Sequence, residues 1–412
     1  MGLGRISGPA ADPCEPSLVC ARRQPGLCGN PVAAVGAAAP SGGDAMLIYV
    51  CLSSHGFGHA ARQAAVLSAL HRLAPTARLV LSSAVDPAFL RLVLMGLPVE
   101  QRRLRWDVGM VQSDALGTDP AATLDALERL EQALPQQLDA ESAWLASQGE
   151  PVVVVGDVPP AAAALAQRLG APLIWMANFG WDEIYAPLGD RFAGHAQAAA
   201  AAYGQGTLLL RCPFSLAMPW GVPERSVGLT VPPTRSLPTA LQEALAADPR
   251  TTVFVGFGGL GLALNPELFS RWPTHRFLLS APAEPEHCRA LEACGNVLLL
   301  PAGVRPLDVL KHCERHLGKP GYSSFCEALS AGCGLHVVER SGFAEAAALI
   351  DGLRLHGHHR LLRRDQLECG DWQLDQPLRA PSAAALPRDG ALEAARAIVT
   401  IAADAARSDQ NF

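Results

Sequence analysis

The feature that most constrains this chain is a repeated pattern: a short apolar run, a turn bearing glycine or proline, then a helical pattern. Residues 152–155 are four valines in a row, and residues 46–52 read Met-Leu-Ile-Tyr-Val-Cys-Leu. Strands apolar on both faces belong in a parallel sheet covered by helices on either side. The spacing predicts strands at 46–52, 78–82, 152–156 and 172–176 and helices near 59–73, 87–95 and 160–169. A helical region over 120–147 is expected to break at Pro135. Residues 213–250, dense in proline and turn residues, read as a join between domains. The pattern then restarts, with strands at 252–255, 276–279, 297–300, 315–317 and 335–338. Helices are expected near 266–271, 306–312 and 323–331, and a last amphipathic one at about 390–405. Strand–helix repetition with right-handed crossovers makes doubly wound sheets. The expected fold is α/β: two Rossmann-like doubly wound domains, 46–235 and 236–412 with the terminal helix, facing a cleft. Ligands of such sheets bind at the C-terminal strand edges.

Hydrophobic residues make up 49% of the 412 and charged residues 17%, which supports a buried core and argues against a disordered chain. Lys and Arg number 33 against 39 Asp and Glu, a net charge of -6 that disfavours a nucleic-acid partner. The 11 cysteines are odd in number and show no C-x-x-C pair. They read as reduced thiols in a reducing, cytoplasmic setting, with no zinc site expected. No apolar run reaches the ~18 residues of a membrane span. Residues 1–45, rich in Ala, Gly and Pro without periodicity, are expected to be a low-complexity, disordered extension. Within them the apolar stretch 31–40 is too short and Gly-interrupted for a secretion signal, and Met46 offers an alternative start.

Gly56-Phe-Gly58-His-Ala-Ala61 joins a strand to a helix and fits the dinucleotide pattern G-x-G-x-x-G/A. The next strand ends in Ser82-Ser83, without the acidic residue that holds a ribose in that pattern. His55 and His59 bracket the turn. His59 falls in the first turn of its helix, where the dipole favours the neutral imidazole that a general base needs. Asp157 ends a strand at the same sheet edge and can fix that histidine's tautomer. The plainer alternatives are a helix-capping His59 and an Asp157 that N-caps the following helix. In the second half, Gly321 lets the backbone approach a ligand, and Ser323 or Ser324 can cap a helix whose N–H groups would cradle a phosphate. Lys319 adds a cation, and Glu327, one turn on, can accept two hydrogen bonds from a ribose diol. The loop 256–261, with Gly258 and Gly259, is a second backbone nest for the same diphosphate. For Ser324 and Glu327 the alternative is a plain capping box.

Three segments carry a family resemblance. They are Ser54-His-Gly-Phe-Gly-His-Ala-Ala-Arg62, Asn178-Phe-Gly-Trp-Asp-Glu-Ile-Tyr185, and Lys319-Pro-Gly-Tyr-Ser-Ser-Phe-Cys-Glu-Ala-Leu329 followed by Arg340-Ser-Gly-Phe-Ala-Glu345. These resemble motifs of the two-domain GT-B nucleotide-sugar glycosyltransferases, in the family-28 group of MurG-like transferases and the glycosyltransferase-like domain of plant arabinokinases. The likeness runs from about 46 to 357. It implies a hexosyltransferase-type enzyme that takes a sugar from a nucleotide sugar, here read as a UDP-sugar, to a hydroxyl acceptor. Position by position it implies His59 as the acceptor-activating base and Asp157 as its partner. It puts Lys319, Gly321 and Ser324 near the diphosphate, Glu327 on the ribose and Glu345 on the donor sugar. Gly258, Gly259 and Ser323 complete the expected donor set, and His55, Gly58, Arg62, Asn178 and Trp181 the expected acceptor side. Ala346 stands where many plant relatives carry Gln, and Pro306 where their base-stacking segment has Gln, which leaves sugar and nucleobase open.

Helix N-termini and Lys319 can stabilise a departing diphosphate without a metal, and no D-x-D pair offers to anchor one. The nucleotide sugar is then a co-substrate and no cofactor is expected. With base and leaving group on opposite faces, inversion at the anomeric carbon is expected. Two other classes compete. A catalytically silent nucleotide-sugar-binding module would need only the second domain, so the presence of both His59 and Asp157 counts against it. A sugar-nucleotide epimerase of the same fold would need further acids and bases around the ring. The acceptor pocket is expected from loops at 105–120 and 178–190, and peripheral membrane contact is compatible with this reading.

Overall fold

A computed structural model describes residues 46–113, 116–258, 264–282, 284–340 and 342–409. The expectations for residues 1–45 and for Gly259 lie outside these residues.

The apolar runs become the strands of two parallel sheets. The first holds β1 (Leu47–Leu52), β2 (Arg78–Ser82), β3 (Val99–Arg102), β4 (Val152–Asp157), β5 (Leu173–Ala177), β6 (Leu208–Arg211) and β7 (Glu224–Ser226), in the order β3-β2-β1-β4-β5-β6-β7. Its helices are α1 (Gly58–Leu73), α2 (Pro87–Leu94), α3 (Pro120–Ser147), α4 (Ala161–Leu169), α5 (Trp181–Tyr185) and α6 (Asp190–Tyr203). After α7 (Thr239–Ala247) the second sheet begins: β8 (Thr251–Gly256), β9 (His275–Ser280), β10 (Val297–Leu300), β11 (Arg315–Gly318), β12 (Gly334–Val338) and β13 (His359–Leu362), in the order β10-β9-β8-β11-β12-β13. Between and after these strands run α8 (Pro285–Glu292), α9 (Pro306–Leu310), α10 (Tyr322–Ala331), α11 (Glu345–His356), α12 (Arg364–Cys369) and α13 (Gly390–Asp409). The expected architecture of two doubly wound α/β domains is therefore present.

Every residue of β1 is buried. Ile48, Val50 and Leu52 enter one apolar layer with Ala64 and Leu67 of α1, whereas Leu47, Tyr49 and Cys51 enter another with Leu165 of α4. Two covered faces are what an unbroken apolar strand requires. No helix among the described residues is long and apolar enough to cross a membrane.

Three local expectations need correction. α3 runs unbroken through Pro135, because Leu124, Leu127, Leu138 and Leu145 on one side are buried in the core and outweigh one lost N–H bond. Residues 266–271 form a 3-10 helix rather than an α-helix, its start capped by Asn265. The proline-rich stretch 213–250, the expected join, holds β7 and α7 before the second sheet begins. The terminal helix α13, assigned from sequence to the second domain, returns to pack on α1 of the first. Its Ala394, Ala395, Ile398 and Ala402 join the layer under α1, and Glu393 Oε2 accepts from Gly228 N at 2.8 Å.

The second sheet buries two neutral histidines. Burial holds His316 at a pKa of about 4, and burial together with Arg315 holds His336 at about 3. Both values lie below the ordinary ~6.5, so the unfolded chain binds these protons first. Their contribution is fully present above about pH 6.5 and is lost as pH falls towards 4 and 3. Each group is expected to subtract up to ~1.4 kcal/mol per pH unit in that window. Urea unfolding at pH 7, 6, 5 and 4.5 checks this. Leu at both positions should flatten the decline, and an unchanged slope would contradict the assignment.

Candidate active site

In the first sheet β1 pairs with both β2 and β4, so the strand order reverses there and leaves a crevice at the C-terminal edge. The chain leaves β1 through Ser53–Phe57 and enters α1, whose first turn carries His59 and whose next turn carries Arg62 and Gln63. Spacings of three and four residues put these side chains on one helix face. That face meets Asp157, the last residue of β4.

Asp157 is fully buried and accepts from all three. His59 Nδ1 lies 2.8 Å from Oδ1, Gln63 Nε2 2.7 Å from Oδ2, and Arg62 Nε 3.0 Å from Oδ2, with Arg62 Nη2 also on Oδ1. Burial alone would raise the carboxyl, but Arg62 and His59 outweigh it and hold the pKa at about 2. Asp157 is therefore an ionised acceptor. His59 must carry its proton on Nδ1, which leaves the Nε2 lone pair available. Neither plainer alternative holds. The N-cap of α4 is Pro160, with no side-chain bond, and His59 lies inside α1, not at its cap.

Arg62 extends the cluster. Its Nη1 donates to Asn178 Oδ1 at 2.9 Å, and Asn178 Nδ2 donates to Glu345 Oε1 at 2.7 Å. The Arg62 guanidinium also lies over the Tyr322 ring at 4.8 Å. Glu345 opens α11 and Tyr322 opens α10, so the network crosses from the first sheet's edge to the second's. Burial raises the Glu345 carboxyl above its ordinary pKa, against the pull of Asn178, His59, Arg62 and Arg340.

The second sheet reverses at β8, which pairs with β9 and β11. A Cβ at Gly318 would collide with the Gly256 carbonyl, so the two strand ends approach as closely as glycine allows. Gly258 has φ +79°, and a Cβ there would stand 3.3 Å from Lys319 Cε, so the lysine stem lies over this turn. Gly321 is the N-cap of α10. The serines do not cap, which corrects that expectation. Ser323 Oγ instead donates to Gly58 O at 2.7 Å and ties the two halves, and no Ser324–Glu327 capping box forms. Burial pushes the Glu327 carboxyl up to about 7, with Arg305 pulling down and Asp308 pushing up.

The expected acceptor side divides. His55 and Gly58 stay partly exposed, but Arg62, Asn178 and Trp181 are each 1% exposed. Arg62 and Asn178 bond into the Asp157 cluster, and Trp181 packs on His55 and Phe179. Trp181 Nε1 donates to Asp107 Oδ2 at 2.9 Å, and Ser54 N to Asp107 Oδ1 at 3.3 Å. His55 Nδ1 accepts from Met110 N at 3.3 Å. Burial, then His59, Arg340 and Lys319, hold its pKa at about 3. With Nδ1 occupied as acceptor, Nε2 carries the proton and His55 has no free lone pair for base work.

Sequence reasoning missed Gln63, Asp107, Tyr322 and Phe343. Gln63 was reachable as the residue one turn beyond His59. Phe343, which packs on His55 and Phe179 at ring distances of 5.3 and 5.9 Å, comes from the second half and has no local signal. Among the described residues no group of three His, Cys, Asp or Glu is placed to hold a metal ion.

No family model matches the chain. L-arabinokinase of Arabidopsis thaliana is 29% identical over 328 residues, which cover 78% of this chain and 31% of that protein. The chain thus spans about a third of the length of that relative. A UDP-glucosyltransferase from Polygonum tinctorium superposes with TM-score 0.56 at 18% identity, covering 89% of this chain and 94% of that one. A Medicago truncatula UGT complexed with UDP-glucose gives 0.56 at 13% identity, over 88% and 98%. An Arabidopsis thaliana UGT complexed with UDP-L-rhamnose gives 0.56 at 14%, over 89% and 99%. Two parallel-sheet α/β domains meeting at their switch points, superposed on these structures along nearly their whole length, give this chain the GT-B fold of the nucleotide-sugar glycosyltransferases.

Proposed function

We propose that the chain is a glycosyltransferase that moves a sugar from a UDP-sugar to a hydroxyl acceptor, with inversion and without a metal ion. The observation that carries this reading is the His59–Asp157 pair at one switch point, facing the glycine turns and the α10 N-terminus at the other. The UDP-sugar complexes among the solved structures of this fold support the choice of donor.

The donor diphosphate lies against the backbone N–H groups of α10 and the Gly258 turn, with Lys319 beside it. Glu327 accepts from the ribose hydroxyls, and Glu345 stands towards the donor sugar. His59 Nε2 takes the proton of the acceptor hydroxyl. The oxygen's electron pair forms the new bond to the anomeric carbon as the bond to the diphosphate breaks, and that bond's electrons leave on the β-phosphate oxygen. Lys319 and the helix N–H groups stabilise the departing charge. Attack and departure on opposite faces invert the centre. Asp157 keeps the imidazole in its working tautomer and stabilises the imidazolium.

A thermal-shift screen of UDP, GDP and their sugars tests the reading. A ligand at 100 times its dissociation constant stabilises by about 2.7 kcal/mol. UDP and at least one UDP-sugar are expected to raise the melting temperature, and no response to any nucleotide would overturn the proposal. Glu327→Ala should leave the fold intact and weaken UDP binding by ~1–3 kcal/mol, the loss of an acceptor for the ribose hydroxyls. Titration calorimetry reads this directly, and parental UDP affinity in the variant would remove Glu327 from the ribose.

A further inference from the structure

We infer that Glu345 is the second counter-anion of the base: Arg62 draws on the charge of Asp157, and the Glu345 carboxylate, joined to the cluster through Asn178, balances the imidazolium that forms on His59. This rests on the reading of His59 as the base, and it makes Glu345 a positioning residue that acts through His59.

The geometry gives the reason. Asp157 accepts from His59 and twice from Arg62, so one carboxylate faces a permanent guanidinium as well as the imidazole. The side chains of Arg62 and Asp157 are 1% and 0% exposed, and solvent does not screen them. When His59 takes a proton, two cations share one anion inside a buried cluster. Arg62 Nη2 stands 3.1 Å from His59 Nδ1, so their repulsion is direct. An isolated buried charge costs several kcal/mol, which disfavours an imidazolium left with half a partner.

The groups that face His59 come from several elements. Asp157 comes from β4 and Arg62 from α1, and both bond at the ring. His55, from the β1–α1 turn, interacts with His59 and is itself faced by Lys319 and Arg340. Asp107 interacts with His59 from the segment after β3, but Ser54 N and Trp181 Nε1 occupy its two oxygens. Glu345, from α11, interacts with both His59 and Arg62 and is tied by Asn178 to the far side of the same guanidinium. It is the carboxylate whose hydrogen bonds lead back to the pair. Because it belongs to the second half, the strength of the base is set across the junction.

The test is a titration of His59 by NMR in ¹⁵N-histidine-labelled full chain, with the resonance assigned by His59→Gln. Glu345→Gln retains an oxygen for Asn178 Nδ2 and removes only the charge. It is expected to lower the His59 pKa by about one unit, and the acid limb of UDP release from a UDP-sugar should move down by the same amount. Glu345→Asp keeps the charge and should titrate close to the parent. A His59 pKa unchanged in Glu345→Gln, or one lowered equally in Glu345→Asp, overturns the inference. A shifted His59 pKa in a chain that releases no UDP would uphold the counter-anion and overturn the transferase reading, so the two failures are distinguishable.

Discussion

Asp157→Ala is expected to destabilise the fold by about 3–5 kcal/mol, the usual cost of stranding one partner of a buried ion pair. Arg62 would be left 1% exposed with Asn178 as a side-chain acceptor, Gln63 would keep only Met176 Sδ, and His59 would lose its carboxylate. Asp157→Asn keeps the shape and loses the charge, so it should be destabilising by less. Replacing both Asp157 and Arg62 with apolar residues should recover much of the loss, because no buried charge then remains. Urea unfolding reads all three. The pH dependence has a definite sign. Asp157 titrates at about 2, below the ordinary ~3.9, so its contribution is present above pH 4 and is lost as pH falls through 2. An Asp157→Ala midpoint equal to the parent's would mean that Arg62 is solvated by another route.

His59→Ala is expected to lower transfer by ~10²–10⁴, the usual effect of losing a general base, while leaving UDP-sugar binding near the parental value. The donor's expected contacts lie on the second sheet, and His59 lies at the edge of the first. His55 does not replace it, since its Nδ1 is occupied by Met110 N and its pKa is held at about 3. Asp157→Asn should fall in the same direction by a smaller factor. The double variant should be little worse than His59→Ala, as for groups that act as one unit. Steady-state kinetics on an acceptor, or on water in its place, separates the outcomes. Lost donor binding in His59→Ala would move the imidazole to the diphosphate.

The fold was legible where local pattern decides the structure. Four valines ending in Gly156-Asp157 could only become a central strand with a polar residue at its tip, and β4 is that strand. The dyad was legible for the same reason, because His59 follows β1 and Asp157 ends β4, two buried strands paired at a switch point. What was missed depends on residues far apart in the chain. Arg62, Asn178 and Trp181 belong to motifs, but nothing local says whether a motif residue faces the crevice or the core behind it. Serine caps helices, so the local pattern points Ser323 or Ser324 to the α10 terminus, whereas the Ser323 hydroxyl donates to Gly58 O, 265 positions away. α6 carries a run of alanines, which mark neither face of a helix and gave no periodic signal. The terminal helix announced an apolar face but not its partner, and that partner is α1.

The most direct test of the account follows the donor itself. The UDP-sugar giving the largest thermal shift is incubated with the chain in water, and proton NMR records the anomeric signals as UDP appears. From an α-linked donor, the account predicts release of UDP with the β-anomer of the free sugar formed first. It also predicts that release slows by ~10²–10⁴ in His59→Ala. An α-anomer formed first, or parental release in His59→Ala, would contradict an inverting transfer driven by this base.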